Sequence, residues 1–118
     1  MTVPYRIAVN VEWTSKCNAL CPMCPRDAIE HPQLMPLDTW ATILRRLDPD
    51  EIFRVVIAGY GEATTHPRFS EFVEAMRGHP VRFDMVSNGH LLDPAKIAEL
   101  DGVIDLLIVS FSSIDPAV

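Results

Sequence analysis

Apolar runs with a two-residue period alternate along this chain with runs whose apolar residues recur every three to four positions. Few folds accommodate that alternation. Tyr5–Trp13 reads as a strand, with Ile7, Val9, Val11 and Trp13 on one face. Asp38–Leu47 reads as a helix whose stripe is Trp40, Ile43, Leu44 and Leu47. Phe53–Ala58 is a second strand, ending at Gly59. His66-Pro67 suits a helix start with Pro at the first helical position. That helix is expected to run to Arg77, burying Phe69, Phe72, Val73 and Met76, and to close at Gly78. Val81–Val86 is a third strand. Asp93-Pro94 opens a third helix, with Ile97 and Leu100 as its stripe and a stop near Gly102. Asp105–Val109 is a fourth strand.

The order β-α-β-α-β-α-β predicts an α/β fold: about four parallel strands with three helices outside. The near-continuous runs VVIA and LLIV suit strands buried on both faces. Only the first interval departs, stretched by the irregular segment 14–35. At 118 residues the chain has room for one domain. Ser113-Ile114-Asp115-Pro116-Ala117 repeats the helix-start pattern of Asp93-Pro94. Four curling parallel strands would also leave two open edges. The expectation is therefore a single incomplete domain over 1–118, a partial (β/α) barrel of the TIM-barrel kind. The remainder of the barrel, or a partner chain, would complete it.

Composition narrows the function. An apolar content of 48% without low-complexity tracts supports a folded core. The net charge is −6, and Arg45-Arg46, in a helix, is the one adjacent basic pair, which argues against a nucleic-acid partner. Met1–Arg6 lacks the basic-then-apolar pattern of a secretory leader. No apolar run approaches the ~20 residues of a membrane span. A cytoplasmic protein without a membrane partner is expected.

All three cysteines fall in one short run, Cys17-Asn-Ala-Leu-Cys21-Pro-Met-Cys24, after the first strand. An odd, clustered set is a poor disulfide framework and a good metal-ligand group. Thiolates are soft donors suited to iron–sulfur clusters and to zinc. Three of them can ligate three irons of a cubane and leave the fourth open to a substrate. Zinc with His31 as a fourth ligand is the competing reading, although zinc sites favour paired knuckles and only one Cys-x2-Cys is present. Three unrelated thiols would be the plainest outcome.

The other polar stretches also follow strands. Gly59-Tyr60-Gly61-Glu62 follows the second; Gly admits close approach of a ligand to the backbone, and a carboxylate can add a charge-assisted bond to an ammonium. Ser87-Asn88-Gly89 follows the third, and Ser110-Phe111-Ser112 the fourth. Each alone also reads as an ordinary turn. In a parallel barrel, however, all strand C-termini share the rim where active sites form. Among the remainder, His66 is expected to cap the second helix, and His79 and His90 to sit in turns. Trp13 and Trp40 are expected to pack the core, Arg26 to lie at the surface, and Asp48, Asp50 and Glu51 to form a solvated loop.

The Cys-x3-Cys-x2-Cys run in the loop after strand one resembles the signature of the radical S-adenosylmethionine (SAM) family. The resemblance covers nearly the whole chain and implies half of a (β/α)6 core. It implies a [4Fe–4S] cluster on Cys17, Cys21 and Cys24, with SAM chelating the open iron. The reaction implied is reductive cleavage of SAM to a 5′-deoxyadenosyl radical that abstracts hydrogen from a substrate. Gly59-Tyr60-Gly61-Glu62 is similar to the family's Gly-Gly-Glu-Pro motif, which binds the SAM amino group; Ala63 replaces the Pro. Ser87-Asn88-Gly89 resembles the Thr-Asn-Gly turn, and Ser110 and Ser112 a Ser-x-Asp stretch that reaches the SAM carboxylate or ribose. Met23 stands where an aromatic residue near adenine is usual. Implied partners are a small-molecule or peptide substrate, as in peptide modification or cofactor biosynthesis, and an electron donor such as flavodoxin or ferredoxin. A zinc-binding or cluster-binding half-barrel without catalysis of its own is the alternative.

Overall fold

The computed structural model describes residues 6–16, 33–59 and 61–110. Four strands, β1 (Ile7–Val11), β2 (Ile52–Ile57), β3 (Phe83–Ser87) and β4 (Leu106–Val109), alternate with three α-helices, α1 (Leu37–Arg46), α2 (Phe69–Met76) and α3 (Pro94–Leu100). A 3₁₀ turn, Ala63–Thr65, precedes α2. The sheet order is β1-β2-β3-β4 and every pairing is parallel. Parallel neighbours need a crossover, and each helix supplies one. No described helix is long and apolar enough to cross a membrane.

Register decides what each face carries. Val11, Ile57, Met85 and Leu107 align across the four strands. Together with Trp13, Val55 and Phe83 they pack against the helices. The alternate row is Asn10, Val56, Asp84 and Leu106, on the helix-free face. There Asp84 is fully buried and accepts hydrogen bonds from Arg54 Nη1 at 3.2 Å and Arg82 Nε at 3.0 Å.

The core is an aromatic layer between sheet and helices. Trp13 meets Trp40 edge-on at 5.5 Å and Phe72 at 5.2 Å, and Trp40 stacks on Phe72 with rings 4° from parallel. The Trp40 indole N–H donates to the Phe72 carbonyl at 3.0 Å, tying α1 to the middle of α2. Two His-Pro pairs link the same helices at their ends. The His66 ring accepts the Arg68 N–H on Nδ1 at 3.0 Å, and its Nε2 lies 2.9 Å from the Met35 carbonyl, just before α1. The His79 ring accepts the Val81 N–H on Nδ1 at 3.1 Å, and its Nε2 lies 2.8 Å from Leu44 O near the end of α1. A backbone N–H can only donate, so Nδ1 is the acceptor on both rings and Nε2–H is the donor to the carbonyl.

These rings also move two boundaries. The helix expected from His66-Pro67 begins at Phe69, because residues 63–66 close a 3₁₀ turn and His66 holds the N-cap residue Arg68 from outside. The strand expected from Val81 begins at Phe83, because the Val81 N–H is turned onto His79. Three burial expectations also change. Ile7 is 61% exposed, since burial along β1 grows only toward Val11 and Trp13. Ile97 is 51% exposed; α3 is short and buries only Leu100. The LLIV run is not covered on both faces: Leu106, Ile108 and Val109 are exposed, because β4 is an edge strand.

Two stability predictions follow from this packing. Trp13 Nε1 is buried without a hydrogen-bond partner among the described residues, whereas Trp40 Nε1 has one. Trp40→Phe should therefore lower unfolding free energy by about 1 kcal/mol more than Trp13→Phe in urea denaturation. His79→Leu strips partners from Leu44 O and Val81 N–H and should lower it by about 1–3 kcal/mol; an unchanged midpoint would show that this link carries no weight.

Candidate functional site

Because all strands run one way, their C-terminal ends share one edge, and the polar turns noted above gather there. The first is the turn after β2. Gly59 has φ +148°, and a Cβ there would lie 2.6 Å from Cγ and Cδ of Glu12. Gly61 is constrained by closeness rather than dihedral: its Cβ would fall 2.0 Å from Thr14 O and 2.6 Å from Lys16 O. Two stretches of backbone, from β1 and β2, touch here without a side chain between them. Gly61 N–H donates to Glu12 Oε1 at 3.1 Å, and Glu62 N–H to Lys16 O at 2.8 Å.

This contact holds Lys16, the residue before Cys17 in sequence, against the turn. The return of the cysteine segment is tied to the same place. Ser15 N–H donates to Gln33 O at 3.0 Å, Met35 N–H to Trp13 O at 2.8 Å, and Thr14 and Leu34 form an antiparallel bridge. Residues 16 and 33 therefore leave and rejoin the sheet beside the Gly59–Glu62 turn.

Glu62 is 4% exposed, with its carboxylate turned inward. Oε2 accepts from Thr64 N at 3.3 Å, Thr64 Oγ1 at 2.5 Å and Ser87 Oγ at 2.8 Å; Oε1 accepts from Asn88 N at 2.7 Å. A carboxylate removed from water needs such donors, and bonds to a charged acceptor are the stronger kind. Glu62 thereby joins the turn after β2 to the turn after β3. Ser87 Oγ in turn accepts Gly89 N–H at 3.0 Å, and Asn88 Oδ1 accepts His90 N–H at 3.0 Å. Ser110 N–H donates to Ser87 O at 2.8 Å, which brings the β4 end to the same edge.

Of the residues singled out from sequence, Gly59, Gly61, Glu62, Ser87, Asn88 and Ser110 thus lie together. Cys17, Cys21, Cys24, Met23, Tyr60 and Ser112 lie outside the described residues, as do Arg26 and His31. Among the described residues, no three His, Cys, Asp or Glu side chains are grouped so as to hold a metal ion. The donor chemistry of the cysteine run, three soft thiolates on a segment whose ends are pinned at this rim, fits an iron–sulfur cluster.

Sequence reasoning missed two side chains. Glu12 supports Gly61 and lies against Gly59. Its signal was a carboxylate on the helix-free side of β1, in step with Ala8 and Asn10. Thr64, 3% exposed, donates twice to Glu62. It left no signal beyond a hydroxyl two residues after a Glu.

Comparison with known proteins places this architecture. Residues 11–118 match the Radical SAM superfamily profile. The chain is 29% identical over 110 residues to an S-adenosylmethionine-dependent nucleotide dehydratase of a Thermoplasmatales archaeon (strain ISO4-H5), covering 93% of this chain and 39% of that protein. It is 29% identical over 105 residues to a PqqA peptide cyclase of Ruegeria pomeroyi (strain ATCC 700808 / DSM 15171 / DSS-3), covering 87% and 28%. Its fold is similar to that of BtrN, solved in complex with AdoMet and 2-DOIA, with a TM-score of 0.78 at 21% identity over 94% of this chain and 48% of that one. The chain thus spans less than half the length of each. The fold is accordingly α/β with four parallel strands, similar to part of the TIM-barrel-like fold of larger enzymes, and the chain belongs to the radical SAM superfamily.

Proposed function

We propose that this chain is the cluster- and SAM-binding part of a radical SAM enzyme, with Cys17, Cys21 and Cys24 as ligands of a [4Fe–4S] cluster. When bound and reduced by a donor such as flavodoxin or ferredoxin, the cluster supplies the electron that splits SAM into methionine and a 5′-deoxyadenosyl radical, which takes a hydrogen atom from the substrate. The observation that carries the reading is the Glu62 N–H to Lys16 O bond, with Gly61 packed on the Thr14 and Lys16 carbonyls. It sets Lys16, the residue before the first cysteine in sequence, against the turn that would receive the SAM amino group.

In this reading the chain's own residues bind and orient. Gly59, Tyr60, Gly61 and Glu62 form the turn for the amino group; Gly59 and Gly61 let that turn lie directly against Glu12 and the Thr14 and Lys16 carbonyls. Ser87, Asn88, Ser110 and Ser112 supply hydroxyl and amide groups for the carboxylate and ribose, and Met23 an apolar, polarizable surface for adenine. The substrate is a small molecule or a peptide; similarity to a PqqA peptide cyclase supports the peptide option. Among the described residues, the unpaired outer edge of β4 and the exposed Leu106 and Ile108 support completion by further barrel units or a partner chain. An odd number of cysteines clustered in one short run, a poor disulfide framework, supports a reducing, cytoplasmic setting.

Anaerobic reconstitution with iron and sulfide should yield a brown protein that forms 5′-deoxyadenosine from SAM and dithionite. Replacing any one of the three cysteines with Ala should abolish the colour. Colourless protein with stoichiometric zinc would overturn the assignment, and a cluster without SAM cleavage would reduce the chain to a binding module. Gly61→Ala forces the backbone of Thr14 and Lys16 away; it should lower unfolding free energy by about 1–3 kcal/mol and weaken SAM binding. Wild-type SAM affinity in Gly61→Ala would count against the turn as the amino-group site.

A further inference from the structure

The geometry points to Glu62 as a positioning residue that works from behind the turn, with Thr64 as its partner, rather than as a group that touches the bound amino acid. This rests on the SAM-binding reading above and refines one contact in it. The Glu62 side chain is 4% exposed, and its carboxylate is already engaged by four donors. Three of those donors fill Oε2, so an ammonium that reached this oxygen would have to displace the Ser87 or Thr64 hydroxyl or the Thr64 N–H and leave that donor unpaired in a buried place, while Oε1 is held by the Asn88 N–H. The carboxylate instead clasps the β2 turn to the β3 turn. It holds Asn88, and through Ser87 the Gly89 N–H, at one spacing from Gly61.

Thr64 makes this testable without altering Glu62. Its hydroxyl donates to Glu62 Oε2, and at 3% exposure it stands behind the carboxylate rather than on the rim. Ala63, where the family carries Pro, leaves the turn without a ring to stiffen it, and the Thr64 N–H and hydroxyl brace it through the carboxylate.

The test is SAM affinity by calorimetry on the reconstituted protein, paired with amide exchange of Asn88 in the protein without cluster or SAM. Thr64→Val, which keeps shape and loses the hydroxyl, should weaken SAM binding roughly tenfold at unchanged cluster content, and Thr64→Ser should restore it. Glu62→Gln, and to a lesser degree Thr64→Val, should speed exchange of the Asn88 amide. Wild-type SAM affinity in Thr64→Val alongside a loss in Glu62→Gln would overturn the proposal in favour of direct contact. Unchanged Asn88 exchange in Glu62→Gln would overturn the clasp itself, and it remains decisive should Thr64→Val fail to fold. A wild-type protein that takes up a cluster but binds no SAM would sink the broader reading, while Asn88 exchange still judges the clasp.

Discussion

The C-terminal edge of this sheet is organised by a backbone contact that only a residue without a side chain permits. Gly61 lies so near the Thr14 and Lys16 carbonyls that any Cβ would occupy the same space as Thr14 O. With Glu62 N–H bonded to Lys16 O and Gly61 N–H to Glu12, the turn after β2 is fastened to the end of β1 from both backbone and side chain. Lys16, the residue before the cysteine run in sequence, is held at that fastening, and its position relative to the turn follows from a steric fact about one glycine.

The edge is firm because the layer beneath it is. Trp13, one residue before Thr14, is wedged among Trp40, Phe69 and Phe72, and these rings join β1 to α1 and α2. The Trp40, His66 and His79 hydrogen bonds tie α1 to α2 and its flanking turns at the middle and both ends. Each link is directional where the aromatic contacts are not, so together they set helix position as well as burial. A shift of α1 along α2 would break three of them at once.

Charge is handled in two ways on the two parts of the sheet. Glu62 is neutralised by dipoles, two N–H groups and two hydroxyls, within the rim. Asp84 is neutralised by two arginines on the helix-free face, further toward the strand starts. Breaking either set by removing one partner would leave a buried carboxylate short of donors, which is far costlier than the set itself is stabilising. Asp84 joins β3 to Arg54 of β2, and Glu62 joins the turns that follow the same two strands.

Local pattern carried most of the architecture. Periods of two and of three to four residues are properties of consecutive side chains, so four strands, three helices and their order were legible, and with them the sharing of one edge by the post-strand turns. The Cys-x3-Cys-x2-Cys spacing and the Gly-x-Gly-Glu run were legible for the same reason: each is a local arrangement. What lay beyond reach depended on partners distant in sequence. The start of α2 and of β3 turned on where two histidine rings bonded. The exposure of β4 turned on its place at the sheet edge. The support given by Glu12 and Thr64, and the inward direction of the Glu62 carboxylate, turned on Gly61, Ser87 and Asn88 arriving from other elements. Sequence alone determined that Gly59, Gly61, Glu62, Ser87, Asn88 and Ser110 would share one edge, because strand direction is set by connection; only tertiary structure decided which of them face one another, because that is settled by burial and by the count of donors each buried acceptor must find.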